Sequence, residues 1–163
     1  MAIEQDLQAI AAQEKALIFT RFGADEAWRV GSALREDALR RGAAMTFEIR
    51  VAGRILFLAA TEGAPAGQLD WIRRKRNVVE RFNKSSYAVG LELEQTGLTI
   101  EQRHGLTLAD FAMHGGAFPI LITGTGCVGS VIASGLHQRV DHAMVVSALA
   151  QLHGGPVRSL DPA

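Results

Sequence analysis

Lys75 occupies a position where the local pattern calls for an apolar side chain. In the stretch Trp71 to Tyr87, WIRRKRNVVERFNKSSY, a turn of 100° per residue brings Trp71, Ile72, Val78, Val79 and Phe82 to one side of a helix. Arg73, Asn77 and Glu80 point away, and Lys75 falls in the middle of the apolar side. An unpaired buried ammonium is costly, so this lysine must snorkel to water, find a carboxylate, or offer its charge to an anionic ligand. Histidines supply the other candidate chemistry. His114 enters a Gly-Gly bend before Phe118 and Pro119, where backbone is open and a ligand can approach closely. On a helix near the C-terminus, Val145, Ala148, Leu149 and Leu152 mark the inward face, and Asp141 and His142 project toward it from the first turn. Asp141 there also suits the helix dipole.

Other patterns are excluded by their context. Gly124, Gly126 and Gly129 spell G-x-G-x-x-G after a predicted strand, but Val128, Val131 and Ile132 continue as strand where dinucleotide binding needs a helix. A hairpin turn accounts for these glycines. His104, His137 and His153 have no comparable setting, and the histidine spacing defines no metal site. Cys127 is the only cysteine, which rules out an intrachain disulfide and a cysteine-based zinc site within one chain. The 17 basic residues balance 17 acidic ones, against a general attraction to nucleic acid or to an anionic membrane. The basic run Arg73 to Arg76 lies within an amphipathic helix and reads as a solvated face. The N-terminus lacks the pattern of a signal peptide and no apolar run reaches membrane-spanning length, so a cytoplasmic protein is expected.

The elements that must position these residues follow from periodicity and stop signals. Residues 3–17 and 24–41 read as helices, the second opening on Asp25 and Glu26 and closing at Gly42. Its core stripe is Ala27, Val30, Leu34 and Ala38, whereas Trp28 and Leu39 lie opposite and hint at a second buried surface. Met45 to Val51 alternates strictly, which predicts a strand with Thr46, Glu48 and Arg50 on a wet face. After a turn at Ala52 and Gly53, residues 54–61 are apolar on both faces, which predicts a strand interior to the sheet. The Lys75 helix follows the loop at 63–67, and Ser85 or Ser86 caps a helix to about Gln95, ended by Gly97. Thr107 and Asp110 have capping-box spacing for a short helix. A second hairpin at 119–123 and 127–134 and a helix over about 138–153 complete an α+β domain built on an antiparallel sheet, with one domain expected over residues 1–163 and a tail from 154.

Three segments together, Trp71 to Tyr87, His114-Gly-Gly-Ala-Phe-Pro119 and Ser134-Gly-Leu-His-Gln-Arg-Val-Asp-His142, resemble the hallmark segments of a family related to the HbpS/GlcG-like haem-degrading domain proteins. The similarity covers nearly the whole chain and departs locally at His137, where a proline is expected. The resemblance implies an α+β fold with an antiparallel sheet flanked by helices, broadly profilin-like, and homo-oligomeric assembly. Haem binding or breakdown belongs to some relatives, and a shared fold does not carry it to all. Within the resembling segments, Lys75, Ser85, Ser86, His114, Asp141 and His142 form the candidate ligand-binding set, with haem as a possible cofactor by resemblance only. Three functions remain open: a homo-oligomeric binder of a small anion such as haem, a haem-degrading or other small-molecule enzyme using His114 or His142, and a structural or protein-interaction oligomer. A cavity beside Lys75 favours the first two; a Lys75–Asp141 pair in a closed core favours the third.

Overall fold

A computed structural model describes residues 2–162. Helix α1 (Ala2–Ala16) leads through the two-residue strand β1 (Ile18–Phe19) into helix α2 (Ala24–Arg41), which ends at Gly42 in the left-handed conformation. A hairpin of β2 (Thr46–Val51) and β3 (Arg54–Ala60) precedes three helices, α3 (Gln68–Phe82), α4 (Ser86–Thr96) and α5 (Ile100–His104). The second hairpin, β4 (Ala117–Ile122) and β5 (Gly126–Ser134), leads into α6 (Gln138–His153). The strands form one five-stranded sheet in the order β1-β4-β5-β2-β3, antiparallel except where β1 runs parallel to β4.

Side-chain alternation divides the core into two layers. Phe47, Ile49, Phe118, Ile120, Val131 and Ala133 face α2 and α6, against Val30, Leu34, Val145 and Leu149. The opposite sheet face packs on α3, where Ile72 and Val79 meet Ala117 and Ile132. Helix α4 packs on α1 through Tyr87, Ala88, Leu91 and Ile10. The C-terminal segment is tied down: Gln13 donates to the carbonyl of Arg158 at 2.9 Å, Arg139 bonds Asp6 and the carbonyl of Asp161, and Leu160 packs near Ile10.

Three local expectations differ from the structure, and one short element was not foreseen. The second face of β2 is not wet, because α3 covers it; Thr46 and Glu48 are buried, and Arg76 donates to Glu48 at 2.6 Å. Strand β3 is an edge strand rather than an interior one, with Ile55 and Leu58 half exposed. Its apolar character therefore reflects something other than burial between strands. No helix follows Thr107, whose carbonyl instead accepts from Asp110 and Phe111 in a turn. The capping box belongs eight residues earlier, where Thr99 and Gln102 close on each other's backbone at the start of α5. Strand β1 has no sequence signal, since two residues are too few to establish a period.

Candidate functional site

Helices α3 and α6 lie on opposite faces of the sheet and approach each other at one end of it, where β5 stops and β4 begins. Lys75 and Asp141 meet there. Each is almost fully buried, with 3% and 2% of its surface exposed, and Lys75 Nζ lies 3.3 Å from Asp141 Oδ2. Nζ also donates to the carbonyl of Ala133 at 3.1 Å, within the last turn of chain before β5 ends. The carboxylate also accepts from the backbone N–H groups of Gly135, at 3.3 Å to Oδ2, and Leu136, at 3.0 Å to Oδ1. An ammonium has three protons, and only two acceptors are provided for it among the described residues.

Gly116 makes room for this pair. Its φ is +129°, and a Cβ there would abut the Ala133 carbonyl and lie 2.7 Å from Lys75 Nζ. Burial draws the two titrations together: desolvation lowers the Lys75 pKa against the opposing pull of Asp141, and it raises that of Asp141 against the pull of Lys75 and the two backbone N–H groups. Both shifts run toward the neutral forms, so each charge is held at greater cost here than in water.

The pair is not sealed. It forms the floor of a cleft of about 270 Å³ whose walls include Gln68, Trp71, His114, Gln138 and the chain at Ser134 to Leu136. His114 is exposed at the mouth, its ring edge-on to Trp71 with centroids 5.1 Å apart, and the Arg74 guanidinium sits 4.7 Å from the centre of the Trp71 ring. Neither ring nitrogen of His114 has a hydrogen-bond partner among the described residues. Partial burial, then the positive charges of Lys75 and Arg74, lower its pKa, which favours the neutral ring. A second groove of about 290 Å³, lined by Leu91, Leu93, Leu98, Ile100, Leu108 and Met113, shares His114 and Gln138 with the first. The imidazole thus stands at the junction of a polar cleft and an apolar one.

Lys75, His114 and Asp141 are the sequence-predicted residues that the fold brings to the cleft. Ser85, Ser86 and His142 lie outside its walls. Ser85 caps α4, its Oγ accepting from the Ala88 N–H at 3.2 Å. Ser86 Oγ donates to the His114 carbonyl at 2.6 Å and accepts from the Ala117 N–H at 3.1 Å, pinning both ends of the Gly-Gly bend. His142 Nε2 meets Gln13 Oε1 at 2.8 Å, and burial lowers its pKa to about 3. Since Gln13 uses its amide N–H on Arg158, the bond requires a proton on His142 Nε2. Nδ1 is then a bare acceptor, buried and without a partner among the described residues.

Sequence reasoning missed Gln68, Ser134, Gly135, Leu136 and Gln138 as cleft walls. Gln138 was detectable in principle, because it opens α6 within a resembling segment; its Oε1 accepts from the Gly115 N–H at 3.2 Å and fixes the bend. Among the described residues no group of three or more His, Cys, Asp or Glu side chains could hold a metal ion, and no helix is long and apolar enough to cross a membrane.

A family model described as "Haem degrading protein HbpS-like" matches residues 22–150. The UPF0303 protein of Burkholderia mallei strain NCTC 10229 is 54% identical over 153 residues, covering 93% of each chain. Among solved structures, the Ybr137w protein superposes with a TM-score of 0.84 at 25% identity, covering 91% of this chain and 87% of that one. A structure of PduOC in complex with heme superposes with a TM-score of 0.68 at 15% identity, covering 79% of this chain and 93% of that one, and supports the shared fold.

Proposed function

This chain belongs to the HbpS-like haem-degrading protein family, and on that premise we propose that it is a cytoplasmic homo-oligomer whose Lys75 cleft binds a small anionic ligand. The observation that carries this is the unspent ammonium proton. Lys75 has more donors than acceptors, in a desolvated position that opens on a cleft of small-molecule size. A purely structural ion pair would be expected in a closed core. Asp141 does not cancel the site, because its charge is already divided among Lys75 and two backbone N–H groups. His114 and the free amide N–H of Gln138 are further donors at the mouth. Ser86 and Gln138 position the bend that carries His114, and Ser85 starts the helix that carries Ser86. Native mass spectrometry of freshly purified protein tests this: a retained small-molecule mass, absent from Lys75→Met, is expected, and an equally loaded variant would count against Lys75 as the anchor.

Haem is a ligand of this class that the family description and the heme complex of PduOC suggest. The residues present fit it. A neutral imidazole with no internal partner, between an apolar groove and a buried ammonium, suits an iron ligand with a carboxylate partner nearby. His114 would hold the iron and Lys75 a propionate, and haem itself would supply any redox chemistry. Hemin should give a saturable Soret shift that weakens in His114→Ala and persists in His142→Ala. A non-saturating titration indifferent to His114 would remove haem from consideration.

The oligomer is supported by a separate region. Trp28 is 67% exposed on α2, edge-on to Phe57 of the edge strand β3, and Ile55 and Leu58 of that strand are half exposed. An apolar edge strand with open backbone groups invites a partner. Trp28→Glu should lower the mass seen by light scattering and leave far-UV circular dichroism intact; a wild-type mass of one chain would refute assembly. A lone cysteine whose thiol burial keeps protonated suits a reducing compartment.

A further inference from the structure

We propose that Lys75 is a nucleophile that captures a small aldehyde or 2-oxo acid in the cleft as an imine, with Asp141 carrying the proton. This chemistry depends on the cleft being the anion site proposed above, but it does not depend on haem being the anion. Three features on the page point to it. First, among the described residues the amine has only two acceptors, the Ala133 carbonyl and Asp141 Oδ2. An ammonium has one proton more than these acceptors use; once a proton passes to Asp141 the amine keeps two, and rotation about Cε–Nζ can turn its lone pair toward the cleft. Second, Lys75 is desolvated at the floor of a cleft, the setting in which a lysine loses its proton most readily. Third, a carboxylate that can receive that proton is 3.3 Å away and is itself held by two backbone N–H groups.

The reaction balances within these residues. Lys75 passes one proton to Asp141, and the Nζ lone pair attacks the carbonyl carbon; a C–N bond forms as the C=O π bond opens onto oxygen. A proton moves from nitrogen to that oxygen, giving a carbinolamine. Asp141 then protonates the hydroxyl, water leaves, and the nitrogen lone pair forms the C=N bond. The products are water, a cationic iminium on Lys75 and the original Asp141 carboxylate, so the ion pair at the floor is the same before and after. No oxidant, reductant or metal enters. His114 and the Gln138 amide, at the mouth, are placed to receive the carboxylate of a 2-oxo acid.

The sequence makes the test clean, because the chain has only three lysines. Lys15 is exposed, and Lys84 pairs with Glu92 at 2.7 Å. The full chain is incubated with pyruvate and sodium cyanoborohydride, then analysed by intact mass and peptide mapping. One reduced adduct per chain is expected, on Lys75, absent from Lys75→Arg and forming about a hundredfold more slowly in Asp141→Asn, near the lower range for a positioned proton carrier. Asp141→Asn is scored only on material whose circular dichroism matches wild type, and Lys75→Arg decides the site independently. Adducts confined to Lys15, Lys84 or the N-terminus overturn the proposal. Lactate, which lacks the carbonyl, separates the two levels: if it raises the melting temperature of wild type but not of Lys75→Met while pyruvate gives no Lys75 adduct, the anion site stands and the imine falls. If lactate has no effect and no adduct forms, both fall.

Discussion

Asp141 and His142 are consecutive on α6 and almost equally buried, yet their surroundings differ in kind. Asp141 looks toward the end of the sheet, where it meets Lys75 and two backbone N–H groups at the floor of a cleft. His142 turns instead toward α1 and the aromatic rings of Tyr87 and Phe118, with Gln13 as its one partner. The first site has a donor to spare and a route to solvent; the second has a spare acceptor and neither donor nor solvent. Burial alone therefore does not separate a ligand site from a structural one. What separates them is whether the unsatisfied group can be reached.

The largest effect expected from breaking this contrast comes from Asp141→Ala, which leaves Lys75 without its carboxylate and frees two backbone N–H groups. It should cost roughly 3–5 kcal/mol in denaturant unfolding, the usual result of breaking one side of a buried pair. A loss near zero would show that water already screens the pair. Next is acidification. The folded-state pKa of His142 is lowered to about 3 from an ordinary 6.5, so the unfolded chain binds the extra proton between these values. Stability from this group is complete above 6.5 and falls with decreasing pH by up to about 1.4 kcal/mol per pH unit until the folded-state value is reached. His142→Gln should flatten that part of the pH profile, and an unchanged slope would assign it to other groups. Gln13→Leu is the mildest break: it removes the histidine's one partner and releases the Arg158 carbonyl, with an expected cost of about 1–3 kcal/mol. The Lys75 cleft should keep its ligand in that variant.

The sequence exposed the functional elements better than it exposed their surroundings. A lysine in an apolar stripe and a carboxylate on an inward helix face are period violations, and the 3.6-residue repeat shows them directly in α3 and α6. Their contact across the end of the sheet was not legible, because it depends on Gly116 clearing the space and on β5 stopping at Ser134. The misplacement of β3 has a related cause. Apolar residues on both faces usually mark an interior strand, and an edge strand reads the same way when its exposed side chains are apolar, as Ile55 and Leu58 are. Likewise, Thr107 and Asp110 have the spacing of a capping box, but the chain turns at Thr107 and the Thr99–Gln102 box starts the helix instead.

The most direct measurement is a thermal-shift titration with lactate at constant ionic strength, run on wild type, Lys75→Met and His142→Gln. A ligand that binds only the folded state stabilises it by RT ln(1 + L/Kd) at free ligand concentration L, so the melting temperature climbs with the logarithm of ligand concentration above Kd. Wild type and His142→Gln should both show this logarithmic rise, whatever their starting stabilities, and Lys75→Met should show none. A rise of equal size in Lys75→Met, or one abolished only by His142→Gln, would contradict the assignment of the Lys75 cleft as the ligand site.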